Sequence, residues 1–325
     1  MSLANYTTLR LGGPAGRLIE ATTDAQLIAA VRDDGDAFVL AGGSNVVVGD
    51  AGIPGTVVLV RTRGVAREGD VLHVAAGESW DALVARSVAD GLSGIECLSG
   101  IPGSVGATPI QNVGAYGQEV SDTIISVRAL DRRTGEVVEL APEECGFGYR
   151  TSAFKREPGI FVVLRVSFAL RDDGGAARPI RYGELARAAG EAPTLAGVRD
   201  AVLALRRGKG MVLDPADLDT FSAGSFFTNP IVDADAVPDG APAFAQPDGR
   251  VKTSAAWLIE HAGFAKGYGN PDGIAISSKH VLALTNRGHG TTAELLALAR
   301  EIQDGVKTRF GVRLEPEPVV ILTDS

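Results

Sequence analysis

The sequence predicts an α+β protein of two or three domains, and three observations carry that reading. The chain has 325 residues, whereas a single core rarely grows beyond about 250–300. Helical and strand periodicities are mixed along it, and two of the strands flank a hairpin turn, the connection of antiparallel sheets. Ahead of that hairpin lies a glycine-rich stretch, Gly94 to Gly117 (GIECLSGIPGSVGATPIQNVGAYG), suited to the interior of neither a helix nor a strand.

Composition narrows the class. Hydrophobic residues at 45% and charged ones at 22% are those of a globular chain, and no run of about 18 apolar residues could span a membrane. The start, MSLANYTTLRLGG, has neither the basic region nor the apolar core of a secretory signal, so the cytoplasm is the expected compartment. Cys97 and Cys145 are the two cysteines, too few for a disulfide framework, and no Cys or His spacing suggests a metal. A net charge of −9 argues against nucleic acid as a general partner, while a local basic patch could still hold a small anion.

The elements follow in order. Arg17–Ala21 reads as a strand and Thr23–Arg32 as a helix opened by a Thr23-x-x-Gln26 capping box. A strand at Phe38–Leu40 runs into Ala41–Asn45 (AGGSN), where backbone N–H groups could meet phosphate. Val71–Ala75 is a strand, and Ser79–Asp90 a helix with Trp80, Leu83, Val84 and Val88 on one face and Gly91 as its stop. Ile124–Leu130 and Glu136–Leu140 flank the turn Arg133-Thr134-Gly135. Leu164, Val166, Phe168 and Leu170 alternate with Arg165, Ser167 and Ala169 as in a half-buried strand. Leu195, Val198, Val202 and Leu205 mark a helix face that ends in Arg206-Arg207-Gly208-Lys209.

Farther on, residues Asp233 to Gly249, rich in Asp, Ala, Pro and Gly, read as an exposed loop. Trp257, Leu258 and Ala262 suit a short buried helix face, and Val281–Thr285 a strand. Thr291–Phe310 is the clearest helix, with a Thr291-x-x-Glu294 box, a stripe of Leu295, Ala299, Ile302, Val306 and Phe310, and Gly311 as its cap. Pro316 and Pro318 confine any strand in LEPEPVVI to an edge or to its beginning. No internal repeat is present.

The glycine stretch is the first candidate for chemistry. Gly100, Gly103 and Gly106 recur every third residue, so several main-chain N–H groups could converge on an anion as a nest. The embedded Pro109-Ile110-Gln111-Asn112 adds amides that could bond a heterocycle edge. A long structural loop is the bland alternative, since turns also need glycine. Gly288-His289-Gly290-Thr291-Thr292-Ala293 fits a dinucleotide fingerprint, but too little chain follows it for the rest of a βαβαβ half. A Walker A sequence is absent, which counts against an ATPase.

Three single residues complete the set. Arg150, in Tyr149-Arg150-Thr151-Ser152, has the ordinary reading of a solvated cation. Ser225, in Gly224-Ser225-Phe226-Phe227, could hold its hydroxyl at the edge of a dry pocket. It is not in G-x-S-x-G and has no evident base in sequence beside it, which counts against a hydrolase nucleophile; a serine could instead donate a proton, though only to a strongly basic carbanion or enolate. Glu315, beside Pro316, would ordinarily be a solvated or salt-bridged carboxylate.

Taken together the segments resemble a family. Asn5–Gly13 (NYTTLRLGG), Ala41–Asn45, Leu98–Gly117, Gly148–Lys155, Gly224–Pro230 and Leu314–Glu317 (LEPE) stand in the order seen in UDP-N-acetylenolpyruvoylglucosamine reductases, and the resemblance covers nearly the whole chain. It implies a vanillyl-alcohol-oxidase-like (PCMH-like) fold: a two-part FAD-binding region and a C-terminal α+β substrate domain. Residues 1–60 with 311–325 would form the first FAD-binding part, 61–207 the second, and 208–310 the substrate domain, with the last strand, Val319–Leu322, returning to the first part.

The resemblance also implies the site. FAD, bound without a covalent link, is expected at Ala41, Gly42, Gly43, Ser44, Asn45 and Val46, and at Gly100, Ile101, Pro102, Gly103, Ser104, Gly106, Ala107, Ile110, Gln111, Asn112, Gly114, Ala115, Tyr116 and Gly117. NADPH would give hydride to the flavin and leave, and the enolpyruvyl sugar nucleotide would then take hydride at its vinyl carbon. Arg150 and Glu315 would bracket the substrate carboxylate, with Arg150 stabilising the enolate and Ser225 protonating the carbanion. Glu315 is expected to be protonated or held by a cation. Tyr182, in Arg181-Tyr182-Gly183-Glu184, matches the tyrosine with which one subtype closes on the substrate diphosphate. Lys209 and Asn229 match positions near that diphosphate, and Lys279 or His280 could share the task of Lys209. Thr228 departs from the lysine of some members, and two extra residues separate the Lys209 region from Ser225.

The family expectation is a monomer that acts on small molecules. Two other readings have their own marks: a related flavin oxidase would be reoxidised by oxygen, and a non-catalytic flavin or nucleotide-sugar binder would be silent with NADPH.

Overall fold

The computed structural model describes residues 1–323. Its backbone contacts gather the chain into two compact units, one of residues 1–14, 43–53 and 209–325 and the other of residues 15–42 and 54–208.

The unit of residues 15–42 and 54–208 is built on a five-stranded antiparallel sheet in the order Glu136–Leu140, Ile124–Asp131, Phe161–Ala169, Val71–Ala75, Val65–Glu68. The predicted hairpin is present, with Asp131 paired to Glu136 and Val127 to Leu140. Its turn closes on Gly135 in the left-handed region, φ +71°. The strand expected around Leu164 is present, with Arg165 and Ala169 partly exposed between buried neighbours, and the expectation fails at Ser167 alone. Phe161–Ala169 lies in the middle of the sheet, and Ser167 is as buried as its apolar neighbours. The Ser167 hydroxyl bonds His73 Nδ1 at 2.8 Å, so its polar atom is satisfied inside. A three-stranded sheet, in the order Ala15–Ala21, Ile53–Val60, Phe38–Leu40, carries the run into Ala41.

Helices cover these sheets where the apolar periodicity requires. Asp24–Asp33 is capped by the Thr23 hydroxyl, which accepts the Gln26 N–H. The other half of the expected box differs, because Gln26 Oε1 accepts from Thr22 instead. Trp80–Ala89 buries Trp80, Leu83 and Val84, and Gly91 ends it at φ +76°. Leu195–Gly208 instead packs Val198 and Val202 with Cys97 and Leu185, in a cluster separate from the sheet core, and buries Leu195 and Arg206 as well.

In the other unit, Val319–Ile321 runs parallel to Val46–Val48, so the last strand does return to the beginning of the chain. The helix Thr292–Phe310 has both halves of the Thr291–Glu294 capping box and ends on Gly311 at φ +71°. Its buried face packs with Phe226, Phe227, Leu258 and Ile276 in one core. Two expectations are corrected, one of a strand and one of a loop. The strand predicted at Val281–Thr285 is Leu284–Asn286, paired with Ile274–Ile276, because residues 281 and 282 turn instead. The segment from Asp233 to Gly249 is not all loop, for Ala243–Ala245 pairs with Val251–Thr253.

Candidate active site

The glycine stretch folds as a cradle in which Gly94, Gly100, Gly103 and Gly117 take positive φ, while Gly106 and, outside the stretch, Gly42 allow close approach. A Cβ on Gly42 would lie 2.5 Å from Gly103 Cα, and one on Gly106 would lie 2.5 Å from Ala76 Cβ. This changes the nest expected from Gly100, Gly103 and Gly106. The Gly100 N–H donates to Asp81 Oδ1 at 2.6 Å and the Gly106 N–H to the Ala76 carbonyl at 2.9 Å. Two of the three donors therefore hold the loop in shape and are not offered to an anion.

Two consecutive residues of the helix Trp80–Ala89 grip this loop. Trp80 Nε1 donates to the Leu98 carbonyl at 3.1 Å, the Trp80 N–H donates to the Gly103 carbonyl at 3.1 Å, and the Asp81 carboxylate accepts from Gly100. Glu96 closes the loop from behind by accepting the Gly94 N–H at 2.6 Å and the Gln118 amide at 2.8 Å.

Arg150 sits on a tight turn stitched to the same cradle. Asn112 Nδ2 donates to the Gly148 carbonyl at 3.2 Å, Ser152 Oγ to the Ile110 carbonyl at 2.5 Å, and Arg150 Nη2 to the Gly114 carbonyl at 2.6 Å. Gly114 leaves room for this contact, since a Cβ there would stand 2.8 Å from Glu119 Cγ and 3.1 Å from Arg150 Nη1. Asn112, Tyr116 and Arg150 all take left-handed backbone, at φ +45°, +50° and +52°. Such conformations persist where surrounding contacts over-determine them, and they gather at functional sites. Asn112 is 1% exposed. Its amide also donates to Glu119 and accepts from the Ser121 N–H, so its side chain braces the cradle. Tyr182, 45% exposed, meets the ring of Tyr116 edge-on with centroids 5.4 Å apart.

Sequence reasoning missed the groups beneath the cradle. Arg199 grips Asp81 with two hydrogen bonds, at 2.6 and 2.9 Å. Burial pushes the Arg206 guanidinium down to about 10, with Asp81 opposing the shift and Arg150 adding to it, so Arg206 keeps its charge at neutral pH. The signal was available: Arg199 is four residues after Leu195 and Arg206 four after Val202, on the apolar stripe that the helix buries.

In the unit of residues 1–14, 43–53 and 209–325 the backbone brings Ser225 and Glu315 to adjoining segments. The Phe226 N–H donates to the Leu282 carbonyl at 2.7 Å, and the Phe226 carbonyl accepts the Glu317 N–H at 2.9 Å. The Thr228 N–H donates to the Glu315 carbonyl at 3.0 Å. Phe226 and Phe227 anchor this pairing, each 1% exposed and packed edge to face at 5.2 Å. Gly224, at φ +72°, turns the chain into it. Arg313 Nε lies 3.1 Å from Glu315 Oε1, which supplies a cation beside that carboxylate.

The remaining candidates are on the same unit. Asn229 Oδ1 accepts the Ala255 N–H at the start of the helix Ala255–His261. Gly210, next to Lys209, lies against Asp219 and Lys279, since a Cβ there would be 3.2 Å from the Asp219 carbonyl and 3.5 Å from Lys279 Cδ. Lys279 pairs with Asp217, and Ser277 Oγ accepts the N–H groups of Lys279 and His280. Burial alone would raise the Asp219 carboxyl, but hydrogen bonds from Ser278 and the Arg287 guanidinium at 2.9 Å hold it below the usual carboxylate value. The Gly288–Ala293 motif is not a phosphate site, because Asp50 accepts the Thr292 and Ala293 N–H groups that a phosphate would use. Among the described residues no cluster of His, Cys, Asp and Glu could hold a metal ion, and no helix is long and apolar enough to cross a membrane.

The cradle fits the FAD that the resemblance implies. Ser104 Oγ is buried beside the Gly42–Gly103 contact and has no hydrogen-bond partner from the protein. A buried hydroxyl left in that state is costly unless a ligand satisfies it.

Comparison with known proteins agrees. Residues 15–141 match a family described as FAD binding domain, and residues 214–321 match UDP-N-acetylenolpyruvoylglucosamine reductase, C-terminal domain. The chain is 55% identical to the UDP-N-acetylenolpyruvoylglucosamine reductase of Streptomyces avermitilis, over 98% of this chain and 93% of that one. It is 54% identical to the enzyme of Mycobacterium sp. (strain MCS), over 99% and 95%. The crystal structure of the same reductase from Thermus caldophilus superposes with a TM-score of 0.69 at 29% identity, covering 98% of this chain and 97% of that one. With relatives this similar along its whole length, the chain belongs to the UDP-N-acetylenolpyruvoylglucosamine reductase family.

Proposed function

We propose that this chain reduces the enolpyruvyl group of UDP-N-acetylglucosamine enolpyruvate, with NADPH as hydride donor, to give UDP-N-acetylmuramate for peptidoglycan precursors. The observation that carries the reading is the pairing of the Ser225 and Glu315 segments through Phe226 and Thr228 in a family member with an FAD-binding region. FAD, when bound, supplies the hydride it has taken from NADPH. Ala41 to Val46 and the Gly100–Gly117 cradle hold it, with Ser104 Oγ as one donor. Residues 1–60 with 311–325 and residues 61–207 are the two FAD-binding parts, and residues 208–310 the substrate part.

The protein's own groups then act on charge and protons. Arg150, with its guanidinium fixed on the Gly114 carbonyl, stabilises the negative charge that grows on the carbon beside the substrate carboxylate, where a preorganised cation has most effect. Ser225 gives its Oγ proton to that carbon, and solvent restores it. Glu315, paired with Arg313, takes the other side of the substrate carboxylate. Tyr182, Lys209, Asn229 and His280 hold the diphosphate. The enzyme works in the cytoplasm as a monomer, and its partners are small molecules.

Ser225→Ala tests the assignment. It leaves flavin reduction by NADPH nearly intact and slows reoxidation by the enolpyruvyl sugar nucleotide by ~10²–10⁴-fold, the range of a positioned proton donor. Equal slowing of both half-reactions would remove Ser225 from the proton transfer.

A further inference from the structure

We infer that Asp81, backed by Arg199, is a positioning residue for the FAD cradle, an inference that rests on the site reading above. Asp81 stands in the first turn of the helix Trp80–Ala89. Its Oδ1 accepts the Gly100 N–H at 2.6 Å and Arg199 Nη1 at 2.6 Å, and its Oδ2 accepts Arg199 Nη2 at 2.9 Å. With the two Trp80 contacts, residues 80 and 81 fix the loop at Leu98, Gly100 and Gly103. The fork on Arg199 ties that grip to the helix Leu195–Gly208. Bidentate Arg–carboxylate pairs fix orientation as well as distance, and Arg199 is only 16% exposed.

The charge is what makes the inference testable. A carboxylate is an unexpected support for a loop that receives a diphosphate, because its field opposes the ligand. Arg199 and the buried Arg206 offset that field. If Asp81 acted on FAD only through its charge, removing the charge would tighten binding. If it acts by holding Gly100 in place through the fork on Arg199, removing the charge weakens binding, since an asparagine keeps one acceptor oxygen but sets an amide donor against Arg199 Nη2 where Oδ2 had accepted, and the fork that orients the side chain is lost. The two accounts predict opposite signs.

The experiment titrates flavin-free Asp81→Asn, Arg199→Met and the double variant with FAD, followed by flavin fluorescence, beside thermal unfolding of each flavin-free protein. Positioning predicts that Asp81→Asn weakens FAD binding ~10-fold, about the effect of one charge-assisted contact, while its melting temperature falls little. It also predicts that the double variant binds FAD no more weakly than the worse single variant, because the two residues act as one unit. Unchanged or tighter FAD binding by Asp81→Asn overturns the inference, as does a loss matched by general destabilisation. If Asp81→Asn does not fold, Arg199→Lys, which keeps the charge and loses the fork, carries the same prediction at a smaller fold-change. Gly42→Ala separates the two levels. If it too binds FAD normally, the cradle reading itself fails; if it binds weakly while Asp81→Asn does not, only the role of Asp81 falls.

Discussion

Replacing Gly42 by alanine probes the cradle with a single methyl group. The φ of Gly42 lies outside the left-handed region, so alanine meets no backbone strain there, and the effect isolates close approach. The added Cβ would lie 2.5 Å from Gly103 Cα and 2.8 Å from both Gly103 C and Ser104 N. Carbon atoms in ordinary contact sit about 3.5–4.0 Å apart, so the two backbones must separate by roughly 1 Å. No rotamer change can relieve a clash between main chains. Overpacking of this kind costs about 1–3 kcal/mol, and each ~1.4 kcal/mol is tenfold in an equilibrium constant. If the strain falls on the ligand-bound geometry, FAD binds ~5–150-fold more weakly. The assay is fluorescence titration of the flavin-free protein, with Gly35→Ala as control because nothing lies within 4 Å of its added Cβ. Wild-type FAD affinity in Gly42→Ala would refute the argument that this contact shapes the site.

Three further outcomes follow from the same structure. Tyr182→Phe keeps the edge contact with Tyr116 but loses the hydroxyl, so substrate titrations show sugar-nucleotide binding weakened by ~5–10-fold, the worth of one hydrogen bond, with FAD binding unchanged. Burial pushes the thiols of Cys97 and Cys145 up to about 12, so native protein at pH 8 resists alkylation while urea-unfolded protein takes two alkyl groups per chain. Asp219 is held below its unfolded value by Ser278 and Arg287, so its stabilisation is present above about pH 4 and is lost as pH falls through the lower folded value. Asp219→Asn therefore lowers the urea midpoint at pH 7, and the gap to wild type narrows below pH 4.

Much of this architecture was legible because local chemistry and burial agree. The Thr291–Glu294 box, the stripe from Leu295 to Val306 and Gly311 each specify the same helix, and the structure contains it. The hairpin at Gly135 was legible for similar reasons, whereas the return of Val319–Ile321 to Val46–Val48 was expected from the family resemblance alone. Expectations failed where tertiary pairing overrode local pattern. Ser167 looked solvent-facing until a central strand position and His73 satisfied it inside. Ala243–Ala245 looked like loop until Val251–Thr253 gave it a partner.

The site divides along similar lines. Glycine spacing announced the cradle, but not that Gly100 and Gly106 would turn their N–H groups inward to Asp81 and Ala76. No local pattern encodes which carboxylate a loop N–H will find a dozen or more residues away. Likewise Arg206 opens a basic run in the sequence and yet is buried, because its helix phase outweighs its charge once the Asp81 carboxylate lies nearby.

The most direct test of the proposed activity is an anaerobic visible spectrum of the purified protein, recorded before NADPH, after NADPH, and again after the enolpyruvyl sugar nucleotide. The account predicts a yellow protein that bleaches with NADPH and regains its colour on addition of that substrate. A protein that bleaches but stays bleached with the sugar nucleotide, and recovers only in air, would contradict it.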